Sequence, residues 1–127
     1  LITWDFSYGQ KVAAQVRRRF RSPVHFDGPP SKLAFFLVAA FNYSSFRLDV
    51  DSVAMALCSF LGGNIKKFDV QLLSDKRFRF SVASNYVGHF IHSLKGFSVP
   101  DFSCSFHLYR GCPLVETPVY DGIDDPL

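Results

Sequence analysis

Two stretches of strict alternation near the middle of the chain constrain its fold more than any other feature. Phe68, Val70 and Leu72 alternate with Lys67, Asp69 and Gln71, and after Ser74-Asp75-Lys76 the residues Phe78, Phe80 and Val82 alternate with Arg77, Arg79 and Ser81. A period of two puts one set of side chains on each face of a sheet, so the pair reads as a half-buried hairpin. The same pattern predicts its register. A three-residue connection over 74–76 pairs Leu72 with Phe78, Val70 with Phe80 and Phe68 with Val82, all six facing the core. A two-residue connection would set Val70 against Ser81 and mix polar with apolar on both faces. Turning the faces over would bury Arg77 and Arg79, and an unpaired buried guanidinium costs several kcal/mol.

The flanking segments fit around this hairpin. Leu33 to Phe41 is a continuous apolar run between Pro30 and Asn42-Tyr43-Ser44-Ser45, as expected of a strand buried on both faces. Asp49 is placed to cap a helix carrying Val50, Val53, Leu57, Phe60 and Leu61 on one side, and Gly62-Gly63 stops it. Asn85 is read as the cap of a second helix with Val87, Phe90, Ile91 and Leu94 on its apolar face and Gly96 at its end. Phe102, Cys104, Phe106 and Leu108 alternate with Ser103, Ser105, His107 and Tyr109 in a last strand. The order β-α-β-β-α-β is that of a ferredoxin-like sandwich. This α+β fold has four antiparallel strands with the first and third in the middle and both helices on one face. Ahead of it, Gln10 to Arg21 spaces Val12, Val16 and Phe20 four apart among Lys11, Arg17, Arg18, Arg19 and Arg21, which predicts an amphipathic basic helix. Ser22-Pro23 and the breaker cluster at 27–31 follow it. The chain thus divides into a basic helix and linker (1–31), a ferredoxin-like core (32–110) and an acidic tail (111–127).

The strings FRLDVDSVAMALCSFLGG and KRFRFSVASNYVGHFIHSLKGF, on this element order, resemble a family of gag-like, RNA-recognition-like domains of unknown function. These domains occur in plant retroelement-derived proteins, especially those of grasses. The resemblance covers roughly residues 33–110. It implies an RNA-recognition-like fold and nucleic-acid binding, through this domain or through a zinc knuckle further on. No complete knuckle is present in the chain. An RNA-recognition motif carries K/R-G-F/Y-G/A-F-V-x-F/Y on its third strand. Lys76, Phe78 and Phe80 agree with that pattern, whereas Arg77, Arg79, Ser81 and Ala83 do not. The open sheet face is therefore expected to be basic and polar, lined by Lys67, Gln71, Arg77, Arg79, Ser103, Ser105, His107 and Tyr109, with only Tyr109 suited to stacking on a base.

Charge points the same way. Residues 1–110 hold all 14 Lys and Arg and seven Asp, while 111–127 hold four acids and no base. The nucleic-acid contacts expected are Arg17, Arg18, Arg19 and Arg21 on the helix and Lys67, Arg77, Arg79, His107 and Tyr109 on the sheet. Single-stranded nucleic acid is one partner class the sequence suggests; a protein partner or a second copy is the other. The second class arises because both faces of the first strand are apolar. Ala34, Phe36, Val38 and Ala40 need a cover, expected from Trp4, Phe6 and the Val12–Val16–Phe20 stripe or from another copy. No cofactor, metal or small-molecule substrate is expected: Cys104, His107, Cys112, His89 and His92 should point in different directions, and no nucleophile motif or glycine-rich phosphate loop occurs. The reading is a non-catalytic interaction module and not an enzyme. Three cysteines, few and odd in number, suit an intracellular compartment, nucleus or cytoplasm. No apolar run is long enough to span a membrane. Leu1 in place of an initiator Met leads one to expect a longer parent protein.

Overall fold

A computed structural model describes residues 4–26 and 34–109. Over these residues the chain is α+β, with three helices and a five-stranded antiparallel sheet. The elements are α1 (Ser7–Phe20), β1 (Phe35–Ser44), α2 (Val50–Leu61), β2 (Gln71–Ser74), β3 (Arg77–Val82), α3 (Asn85–Ser93), β4 (Gly96–Val99) and β5 (Phe102–Leu108); a 3-10 turn, Ile65–Lys67, precedes β2. The strand order is β2-β3-β1-β5-β4. β1 is central, antiparallel to β3 on one side and to β5 on the other.

The alternating patterns sort the side chains as expected on β1, β3 and β5. Leu37, Ala39 and Phe41 face the helices together with their cross-strand partners Phe80, Phe78, Phe106 and Cys104, and all of them belong to one core. Phe80 is 0% exposed. The opposite face carries Phe36, Val38 and Ala40 beside Ser81, Arg79 and Arg77.

Helix ends are set by local hydrogen bonds. Asp49 Oδ1 accepts from the Ser52 N–H at 2.8 Å and Ser52 Oγ accepts from the Asp49 N–H at 2.9 Å, a reciprocal box that satisfies two otherwise orphaned donors at the start of α2. The Ser52 N–H holds the Asp49 carboxyl below the usual carboxylate range. For α3 the cap is Ser84 and not Asn85, which is already helical. Gly96 does not simply stop that helix. Leu94 caps it, Lys95 turns with φ of +64°, and Gly96 opens β4 opposite Ser105, so close to the Cys104 carbonyl that no side chain fits. This edge strand has no counterpart in the sequence reading.

The hairpin departs from expectation at its tip. Leu72 faces Phe78 as predicted, but Ser74 faces Arg77, so the turn is the two residues Asp75 and Lys76 and Leu73 is the extra residue of a bulge. The bulge lets a two-residue turn coexist with the correct pairing of Leu72. β2 is also shorter than predicted: Asp69, with φ of +51°, breaks the extended backbone ahead of it. Phe68 and Val70 are buried, but Leu72 is 62% exposed at the sheet edge and does not join the core. Lys67 sits in the 3-10 turn and not on a strand, where its carbonyl accepts from Ser81 Oγ at 3.3 Å.

Within the N-terminal segment, the described residues 4–26 pack on the helical side and not on the second face of β1. Val12 and Val16 enter the helix-side core, Phe20 packs edge-on against Phe90 of α3 at 5.8 Å, and Trp4 packs against Phe46 and Phe102 at 5.4 and 6.0 Å. α1 crosses α2 where Gly9 meets its C-terminal end. A Cβ on Gly9 would lie 2.5 Å from the Cys58 carbonyl oxygen and 2.8 Å from the Gly62 nitrogen, so a larger residue would force the helices apart. Arg21, in the left-handed region with φ of +54°, ends α1 by donating its N–H to the Arg17 carbonyl at 2.8 Å.

After α1 the chain is clamped to the edge of β3. Val24 accepts from the Ala83 N–H at 2.8 Å, and the His25 ring stands edge-on to Phe68 at 4.3 Å. His25 Nε2 lies 2.7 Å from the Ser81 carbonyl, and Nδ1 lies 3.2 Å from the Asn64 N–H. Both bonds form when the ring is neutral, with Nε2 donating and Nδ1 accepting. Burial lowers the His25 pKa, aided by Lys67 and opposed by the bond to Ser81. A folded-state pKa below the unfolded value means that the unfolded chain binds more protons in between. The contribution of the clamp is therefore complete above about pH 6.5 and is lost as pH falls from there toward the folded value. Urea midpoints should fall between pH 7 and pH 5, and His25→Gln should flatten that fall. An equal fall in the variant would place the sensitivity elsewhere.

Among the described residues no helix is long and apolar enough to cross a membrane.

Candidate nucleic-acid interface

The sequence-predicted basic residues fall on opposite sides of the molecule. Arg17, Arg18 and Arg19 lie in the last turn of α1 and Arg21 is its C-cap, all exposed on the helical layer. Arg77, Arg79, His107 and Tyr109 lie on the open sheet face, because their strand neighbours Phe78, Phe80 and Phe106 face the helices. One short ligand could not touch both groups at once.

On the sheet face the second apolar set of β1 is screened by its own neighbours. Val38 is 2% exposed yet stands outside the helix-side core, between its cross-strand partners Arg79 and His107. The Arg79 guanidinium carbon lies 4.5 Å from the Phe36 ring centre and 5.5 Å from that of Tyr109; the two rings meet edge-on at 6.3 Å. A cation over aromatic faces contributes about 0.5–2 kcal/mol, more as it is desolvated. Arg79 Nη2 also lies 3.9 Å from Asp69 Oδ2, while its Nε is buried without a hydrogen-bond partner. Arg79 is thus largely committed to holding the face together, and the Tyr109 ring expected to stack on bases is engaged with it. Arg77 remains exposed. His107 Nε2 is 2.9 Å from Ser105 Oγ, two residues apart on one strand face, and Asn42 donates to Ser103 Oγ at 3.3 Å.

The helical layer offers a more open basic surface. Lys11, Arg17, Arg18, Arg19 and Arg21 are exposed, and neither α1 nor α3 contains an Asp or Glu. Cations in a helix's last turn also complement its macrodipole, which helps explain why four arginines can crowd there. The Arg19 guanidinium lies 5.2 Å from the Phe90 ring centre and 5.8 Å from that of Phe20. Tyr86, which the sequence reading did not single out, joins this cluster with its ring 6.4 Å from Phe20 at 28°.

The thiols and imidazoles considered as metal ligands are dispersed. Cys104 is buried on the helix side of β5, where burial pushes its thiol pKa up, and His107 is on the other face. Cys112 and the acidic tail lie outside the described residues. Among those residues no group of three His, Cys, Asp or Glu side chains is placed to hold a metal. No protein-family model, curated protein or solved structure matches the chain.

Proposed function

We propose that this chain is a non-catalytic, intracellular interaction module that grips single-stranded nucleic acid by its phosphate backbone, in a retroelement-derived protein. The observation that carries the reading is the cluster of exposed Arg17, Arg18, Arg19 and Arg21 at one end of α1, beside an α3 that contributes no carboxylate. Such a surface attracts phosphates and has few means of reading base edges. Arg77 adds a weaker second contact on the far face.

The proposal includes a ferredoxin-like fold of the RNA-recognition kind. Its support is the order β2-β3-β1-β5, in which β3 lies between β1 and β2 and antiparallel to each, with β4 added at the edge. In this reading α1 is a third helix on the helical side.

A protein partner or a second copy is the alternative, favoured by Leu72 standing 62% exposed on the edge strand β2. Binding of unstructured single-stranded RNAs of unlike sequence at about 50 mM salt separates the two. Backbone contact predicts affinities agreeing within about threefold across sequences and a monomeric solution mass. Absence of binding together with a dimer's mass would favour self-association.

A further inference from the structure

Tyr86, in the first turn of α3, is 68% exposed, more than any other large hydrophobic side chain among the described residues. Among these residues its ring has one aromatic neighbour, Phe20. It lies 28° from the plane of Phe20 with centroids 6.4 Å apart, and Phe20 is wedged edge-on against Phe90 at 5.8 Å and 68°. Tyr86 thus touches, at its edge, a ring that is itself fixed by packing, and leaves most of its own ring open for something to lie on. The surroundings are cationic: Arg19 sits over Phe90 and Phe20, and Arg17, three residues before Phe20, shares its side of the helix. An exposed aromatic ring beside arginines, on helices that carry no carboxylate, fits a flat, unpaired ring carried on a polyanionic backbone. A duplex would offer this surface phosphates but no free base face.

We infer that Tyr86 is a stacking platform for an unpaired nucleobase, with Arg17 and Arg21 holding the neighbouring phosphates. The inference rests on the nucleic-acid reading above and deepens it from backbone contact to selectivity for single strands.

The test uses the full chain, a single-stranded RNA and inorganic polyphosphate, with Tyr86→Leu and Tyr86→Phe beside the unaltered protein. Tyr86→Leu should weaken RNA binding about fivefold or more, Tyr86→Phe should keep it, and polyphosphate should bind all three equally. If Tyr86→Leu binds RNA like the unaltered protein, or loses RNA and polyphosphate to the same degree, the platform is wrong while the backbone reading stands. If the unaltered protein binds neither ligand at about 50 mM salt, both fall together.

Discussion

Replacing Phe80 by Ala should remove about 3–5 kcal/mol of folding stability, the usual cost of deleting a buried Phe side chain. That is a large part of the roughly 5–15 kcal/mol by which a domain is stable at all. Phe80 stands on the central part of β3 opposite Leu37, with Phe68 at 6.1 Å and Phe106 at 5.8 Å, so its ring joins three strands and the segment leading into β2. These neighbours are fixed by the sheet ladder or by packing and cannot collapse into the space left behind. Leu72→Ala is the matching control. It removes a side chain of similar character from the same hairpin, yet Leu72 is exposed, and its loss should cost no more than about 0.5 kcal/mol. Urea unfolding of the two variants reads this directly, and similar losses would mean that Leu72 is packed at the sheet edge and not exposed as described.

The contrast between Phe80 and Leu72 also marks where the sequence stops being legible. Alternation places Phe78, Phe80, Phe102, Cys104 and Phe106 correctly because each strand there is regular and half-buried. It pairs Leu72 with Phe78 correctly but puts it in the core, because a polar–apolar pattern does not show that β2 is an edge strand, nor the positive φ at Asp69 and the extra residue at Leu73 that shorten and bulge it. β4 is hidden for a similar reason: four residues from Gly96 to Val99 are too few to show a period, and Gly96 reads as a stop. The stripe of Val12, Val16 and Phe20 says that α1 has a buried side but not which layer it covers. The close approach permitted by Gly9 brings it onto α2.

The candidate site shows the same division. Four arginines in five positions are visible at once in the sequence, and they remain exposed in the fold. That Arg79 is engaged by Phe36 and Tyr109 depends on a cross-strand register and on a residue just past β5, so composition alone makes it look free. Tyr86 lies over sixty residues from Phe20, and only the docking of α1 on α3 brings them together.

The salt dependence of single-stranded RNA binding tests the central claim most directly. Four arginines on phosphates release about four counterions, giving a slope of about −2.8 in log affinity against log salt, so that raising salt from about 50 to about 200 mM should weaken binding roughly 50-fold. In the Arg17→Ser/Arg18→Ser/Arg21→Ser variant the slope should approach about −0.7 and the loss should shrink to roughly threefold. A slope that the three substitutions leave unchanged would show that α1 is not the surface that meets the phosphates, and no binding at the lower salt would contradict the nucleic-acid account itself.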